Sequence, residues 1–471
     1  MVERVVDTSN RLDLLKVKNS TTAAPNIAAP DVDYDFDNDT ALLQTVLSDS
    51  RSINYGYNGT GSAPSSVNYA HGATTVLSTL RSTPHGLTSG ITHSQGGTLF
   101  QSLDYIYDVD RVTSMGRGEG DLRWHYRYDG RGQVTSADKK FGNANTFARG
   151  LETEYTYDMA GNRLTKNQGG SGSTVEGTGT RPTTYGAANA LNQYPSVIHP
   201  WSGGTTWLDV SGQRATTTET IKVNTQVASY QQAYTFPYYS FHKELALTPV
   251  ANQRYVDVSI TTSTNAVPPV TTTLDSGKAY VPPMSENLTY DADGNLTADG
   301  RWLYSWDAEN RLASMVPVVV PNSARTDTKL YFTYDGLSRR VSRRRVDETY
   351  STTGPGYYSL TFTGTFRRSF TYDGWNMVQS LDSGYYGGDF NHTDTAASRL
   401  SFVWGPDLGS GTHGHTSWQK AGGVNGLLAV LGTTNARRQF PLMDRMGNVT
   451  GYRRADSGSA ATLDAVFEYD A

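Results

Sequence analysis

A short phrase recurs along the 471-residue chain: an aromatic, usually Tyr, then Asp, two or three variable residues, then Gly-Asn or Arg, then an aliphatic residue. It reads Tyr107-Asp108 ahead of Arg111-Val112, Tyr128-Asp129 ahead of Gly132-Gln133-Val134, and Tyr157-Asp158 ahead of Gly161-Asn162-Arg163-Leu164. It returns as Tyr290-Asp291 with Gly294-Asn295-Leu296, Trp306-Asp307 with Asn310-Arg311-Leu312, Tyr334-Asp335-Gly336 and Tyr372-Asp373-Gly374. Asp444 with Gly447-Asn448-Val449 keeps the turn without the aromatic, and Tyr469-Asp470 starts one more copy. Self-similarity of this kind marks stacked supersecondary units that cannot bury a core singly.

Each copy has a mechanical reading. The residues before the aromatic alternate, as in Glu154-Tyr155-Thr156-Tyr157 and Phe332-Thr333-Tyr334, so a strand is predicted to end there. Asp accepts hydrogen bonds from the backbone two residues on and starts a turn. Gly supplies the positive φ that the turn needs, and Asn tolerates it. Arg-Leu-Thr or Asn-Leu-Thr then leads back as a second strand. The unit is a β-hairpin with its aromatic at a fixed height, and neighbouring hairpins are predicted to stack these rings in a ladder. One hairpin is unstable alone, whereas many in a continuous sheet support one another. Composition agrees: 30 Tyr, 47 Gly and only 18% charged residues are too aromatic and too weakly charged for disorder. The predicted fold class is all-β.

Other classes fall away on simple counts. A net charge of -5 offers no global field for nucleic acid or an acidic membrane. The absence of Cys excludes disulfides, Cys-ligated zinc, iron–sulfur clusters and a thiol nucleophile. The longest apolar stretches, Val316–Val320 and Leu427–Leu431, are far short of a membrane span. Met1–Asn10 carries acids and no apolar core, so it is not a signal peptide; if the protein is exported, its address lies outside this chain or another machine carries it. No G-x-S-x-G or H-E-x-x-H occurs, and the carboxylates concentrate at turn positions, where they have a structural job. No catalytic residue, metal or cofactor is predicted.

Residues 166–285 interrupt the repeats. Asn167–Thr180 reads as a Gly/Ser/Thr linker. After it come Trp201, Trp207, the cluster Tyr234, Phe236, Tyr238, Tyr239 and Phe241, and the alternating strand Arg254–Ile260. A small β-sandwich of roughly 90 residues is predicted, inserted into or riding on the repeats. Its aromatics read first as core, with Trp201 and Trp207 as the candidate positions for stacking on a sugar. Asp31–Asp39 suits a strand with a solvated acidic face better than a calcium loop, lacking the loop's Gly and final Glu. His413 and His415 share a face if extended, but no third ligand is evident, which favours loop histidines over a metal site. Arg339-Arg340 and Arg343-Arg344-Arg345 read as a surface ion-pair ladder rather than a nucleic-acid contact.

The repeat residues resemble those of bacterial RHS/YD-repeat proteins, which are related to Tc-toxin shell subunits and more distantly to animal teneurins. The run from Leu288 to Leu312 (LTYDADGNLTADGRWLYSWDAENRL) looks like the start of an RHS-repeat-associated core. Phe370–Asn376, Val403–Leu408, Gly422–Leu428, Phe440–Val449 and Phe467–Ala471 follow in that family's order. The resemblance implies a long β-sheet spiralling into a shell or part-shell. In toxin-bearing members the shell encloses a C-terminal polypeptide, often freed by aspartyl self-cleavage at a D-P-x-G-L motif. No Asp-Pro pair occurs here, so self-cleavage is not carried over. The organisation implied is residues 1–165 as repeats, degenerate at their start, 166–285 as linker and inserted module, and 286–471 as repeats and core ending before the cleavage motif. The implied role is a non-catalytic shell segment, secreted or at the cell surface. Its implied partners are a C-terminal cargo or toxin polypeptide encoded downstream, and secretion machinery or a surface glycan. The alternative is a surface adhesin that binds carbohydrate or protein.

Overall fold

The computed structural model describes the chain apart from residues 1, 7–11, 18–31, 38, 40–41, 49–50, 59–63, 72–73, 118–121, 142–146, 170–181, 201–204, 215–218, 232–238, 249–253, 265–268, 319–324, 355–356, 386–395, 406–425, 433–437, 455–464 and 468–471. The expectations resting on Trp201, Tyr234, Phe236, Tyr238, His413, His415 and Tyr469 therefore lie outside the described residues, as does most of the 167–180 linker. The regular structure described is all strand, with no helix, in long antiparallel sheets that stay open and do not close into a barrel. The chain divides into two compact units, Met1–Tyr105 with Ala324–Ala471, and Ile106–Ser323.

In the first unit, strands Val32–Phe36, Leu43–Ser48, Arg51–Tyr57, Pro64–His71, Thr74–Ser82 and Thr88–Gln95 each pair antiparallel with the next. A second run of the same kind begins at Arg325–Tyr334 and continues through Val449–Arg454. Alternation sends one face of each strand inward. Val32 and Tyr34 are buried while Asp33 and Asp35, which alternate with them, are exposed. The two runs share one apolar core, with Tyr34, Val46, Val67 and Tyr69 packed with Val403, Leu428, Phe440 and Leu442. Tyr69 and Phe440 meet with ring centroids 4.9 Å apart.

Polar ties span the same core. Tyr34 Oη donates to the Trp404 carbonyl at 3.0 Å, and the Arg445 N–H donates to Tyr105 Oη at 3.0 Å. Arg453 is 1% exposed and gives both Nε and Nη2 to Gln95 Oε1. A fully buried guanidinium is tolerated only when its donors are occupied.

In the second unit, hairpins run from Arg111–Arg117 to Arg163–Gln168. Pairing then continues through Pro182–Tyr185 and Ser196–Ile198, and the latter strand pairs with Ser285–Asn287. Repeat-type pairing thus extends past residue 166, and the inserted segment is confined between Ile198 and Ser285. It consists of a three-stranded sheet (Thr206–Arg214, Tyr239–Leu247, Ser229–Gln231) and a four-stranded sheet (Gln226–Val227, Glu219–Val223, Arg254–Thr264, Thr271–Val281). Ile221, Val223, Ala228, Phe241 and Leu245 form their common core.

The module is held at two places within its unit. Gln231 accepts the Arg149 N–H at 2.8 Å and donates to the Phe147 carbonyl at 3.2 Å, satisfying the strand Phe147–Tyr157 as a neighbouring strand would. Beside it, His242 Nε2 lies 2.7 Å from Asp209 Oδ1 against Gly150. At the neck, the Arg301 guanidinium sits 4.3 Å from the Tyr280 ring and donates to Tyr255 Oη at 2.8 Å. Tyr280 Oη and His199 Nε2 both reach Glu286, at 3.1 and 3.0 Å.

Candidate functional site

The feature that repeats with chemical regularity is the hairpin turn, and it is built the same way in copy after copy. In Asp158–Asn162, Oδ1 of Asp158 accepts the N–H groups of Ala160 and Asn162, both at 2.8 Å. The Asp158 N–H donates to the Asn162 carbonyl at 2.9 Å, and Asn162 Nδ2 donates to Asp158 Oδ2 at 2.9 Å. Gly161 takes φ 96°, which lets the loop close in the space of three residues. The same backbone bonds recur in the turns beginning at Asp129, Asp291, Asp307, Asp335 and Asp444. The turn Asp thus grips the backbone four residues on as well as two.

Electrostatics follow from this geometry. The side-chain amides of Asn162 and Asn295 hold the Asp158 and Asp291 carboxyls below the usual carboxylate range, and the Arg339 side chain does the same for Asp335. These carboxylates are acceptors with no proton to give. Burial pushes the Tyr57 phenol up to about 12, and Tyr290 and Tyr372 are raised by the same cause, so the phenols remain donors.

The aromatics use that donor. Tyr157 Oη donates to the Val134 carbonyl at 2.8 Å, where Val134 begins the return strand of the preceding hairpin. Tyr128 reaches Val112 at 2.7 Å, Tyr372 reaches Arg340 at 2.8 Å, and Trp306 Nε1 reaches Leu296 at 2.8 Å. In place of the predicted ladder of stacked rings, these four aromatics form hydrogen-bonded staples, each tying its hairpin to the backbone of the one before. Side chains at the tips add a second tie. Asn162 Nδ2 lies 3.1 Å from Asn192 Oδ1, Gln193 Nε2 3.1 Å from the Gly294 carbonyl, and Asn295 Nδ2 2.9 Å from Asn310 Oδ1.

Several positions differ from the sequence reading. Gly336 does not carry the turn's positive φ; Ser338 does, at 60°, as Asn310 does at 58°. Tyr107-Asp108 and Tyr372-Asp373 close on shorter turns, with strands ending at Asp108 and Asp373 and resuming at Arg111 and Asn376. Residues 189–193 form an unforeseen copy: Asn189 Oδ1 accepts from Leu191 and Gln193, and Asn192 takes φ 59°. Tyr290 donates to the Tyr194 carbonyl at 3.0 Å, stapling the repeat after the insertion to the repeat before it. Tyr57 with Leu43, and Trp404 Nε1 with Met377, are two more staples outside the quoted phrase. Trp207 lies on the strand Thr206–Arg214 opposite Ala246 and is half-buried. Among the described residues, no three His, Asp or Glu side chains are placed to hold a metal ion.

No family model matches this chain, and no curated protein matches it. Solved structures do. TcdB2-TccC3 without its hypervariable C-terminal region is 12% identical over 96% of this chain and 20% of its own, with a TM-score of 0.30. TcdB2-TccC3-TEV is 12% identical over 99% of this chain and 24% of its own, with a TM-score of 0.24. A porin-like protein from Bacteroides uniformis ATCC 8492 is 11% identical over 68% of this chain and 91% of its own, with a TM-score of 0.18. The chain spans about a fifth of the length of the first of these. At such scores the likeness carries no argument about function, which is left to the repeats themselves.

Proposed function

We propose that this chain is a non-catalytic wall segment of an RHS/YD-repeat protein, secreted or at the cell surface, that encloses or presents a polypeptide joined to its C-terminal side. The observation that carries this reading is the stapled ladder. Its recurring turn binds its own backbone and the next hairpin, which is the chemistry of an extendable surface rather than of a reaction centre. The turn carboxylates of Asp158 and Asp291 are occupied by amides, and those of Asp307 and Asp335 by guanidinium groups as well, which supports structural use.

A passenger assay tests it. A short, unfolded, protease-sensitive peptide is fused after Ala471, and in a control to an unrelated folded domain. The proposal expects the passenger on this chain to be cut more slowly than the control, and more slowly than after the wall is denatured. Equal rates of cleavage would overturn it. Glycan binding that disappears in Trp207→Ala would instead favour an adhesin.

A further inference from the structure

Seven arginines crowd two adjacent strands: Arg339, Arg340, Arg343, Arg344 and Arg345 precede or lie on Arg340–Gly354, and Arg367 and Arg368 lie on Tyr357–Asp373. The ion-pair ladder expected from the sequence accounts for only some of them. Arg368 pairs with Asp382, Arg345 with Asp347, and Arg339 with Asp335. Arg344 and Arg367 are directly opposite each other across the strand pair, and directly opposed residues point to one face. Both are exposed, and among the described residues neither has a carboxylate partner. Like charges in that register repel.

The rung around them is furnished for an anion. Register across four strands places Tyr331, Arg344, Arg367 and Ser383 in one row. The next row on the same face holds Thr333, Ser342, Ser369 and Leu381, with Thr333 and Ser342 hydroxyls 2.7 Å apart. The row on the other side holds Lys329, Val346, Thr365 and Tyr385, with Lys329 paired to Glu348 at 2.8 Å. Two guanidinium forks flanked by hydroxyls suit carboxylates in bidentate contact. The Tyr331 ring is already covered by Arg344 at 4.6 Å, so it offers no open face for a nucleobase to stack on. We infer that the face carrying Arg344 and Arg367 binds an acidic polypeptide segment, its carboxylates bridging the two opposed guanidinium groups. The occupant is defined by charge complementarity, and the inference stands whether or not the wall encloses a cargo.

Fluorescence anisotropy on the full chain tests it, with labelled poly-L-glutamate, an oligothymidine of equal length and a neutral Gly/Ser peptide as probes. Polyglutamate alone is expected to bind, more weakly as salt rises. The double variant Arg344→Gln/Arg367→Gln is expected to lose affinity by about tenfold or more, an order-of-magnitude figure for two charge-assisted contacts. Arg343→Gln, on the opposite face, is expected to bind as the parent does. The melting temperature of the double variant is expected to hold or rise, because like-charge repulsion is removed. Binding of oligothymidine without polyglutamate would overturn the inference, as would no binding at all. An equal loss in Arg343→Gln would also overturn it. A lowered melting temperature with unchanged polyglutamate affinity would assign the pair to folding, and that too would overturn it.

Discussion

Asp158 takes two backbone N–H groups on one oxygen and an amide on the other, and that occupancy makes the turn acid-sensitive. Its folded pKa lies below the ordinary 3.8, so its contribution is present above that value and is lost as pH falls through the folded one. Asn189 makes the same two backbone contacts with an amide oxygen. Asp158→Asn is therefore expected to lower the urea midpoint less than Asp158→Ala and to flatten that acid dependence, as denaturant titrations at pH 7 and pH 3 would read. A second group acts at higher pH. Burial lowers His93 from 6.5 to about 4, opposed by the Met443 carbonyl, and its Nδ1 lies 2.7 Å from Ser78 Oγ. The unfolded chain takes up that proton first, so stability is full above about 6.5 and falls until about 4, by on the order of 3 kcal/mol. His93→Gln should remove the slope in that window; an unchanged slope would assign it elsewhere. At this scale much was legible, because D-x-x-G-N names a donor, an acceptor and a positive φ. The Asn189 turn was not, because Asn replaces both the Asp and the Gly and no aromatic precedes it.

Between elements, the staple is the quantity to measure. Tyr157→Phe keeps the ring and deletes the bond to Val134, which is expected to cost about 0.5–1.5 kcal/mol of stability by chemical denaturation. The inserted module should respond separately. A Cβ at Gly150 would come 2.6 Å from His242 Nε2, on a backbone with φ 75°. Gly150→Ala is expected to loosen the module where Gln231 grips Phe147–Tyr157, and limited proteolysis should then cut near the neck at His199 and Glu286 sooner than in the parent. Phe241→Ala, in the module core, should cost more, about 3–5 kcal/mol. The alternating strands of the module were visible in the sequence. Its limits were not, because the strands Pro182–Tyr185 and Ser196–Ile198 are short and carry none of the Tyr-Asp phrase. The tie from Tyr290 to Tyr194 spans 96 positions, and no local pattern announces it.

For the molecule as a whole, the all-β class followed from Tyr-Asp spacing and turn chemistry, and the open antiparallel sheets bear it out. The partnership of early and late strands did not follow. Tyr34 meets the Trp404 carbonyl across 370 positions, and Arg453 meets Gln95 across 358, contacts decided by which faces are left apolar once the hairpins have paired. The recurring aromatics tie one hairpin to the backbone of the one before, as Tyr128 does to Val112 and Tyr157 to Val134. Hydrogen-exchange mass spectrometry tests this most directly, comparing the parent with a variant carrying Tyr128→Phe, Tyr157→Phe and Tyr290→Phe. The account predicts faster exchange in the return strands Arg111–Arg117 and Val134–Phe141 and around Tyr194, the segments whose carbonyls lose their staples, with the turns themselves still protected by their Asp residues. Unchanged exchange in those segments would contradict it.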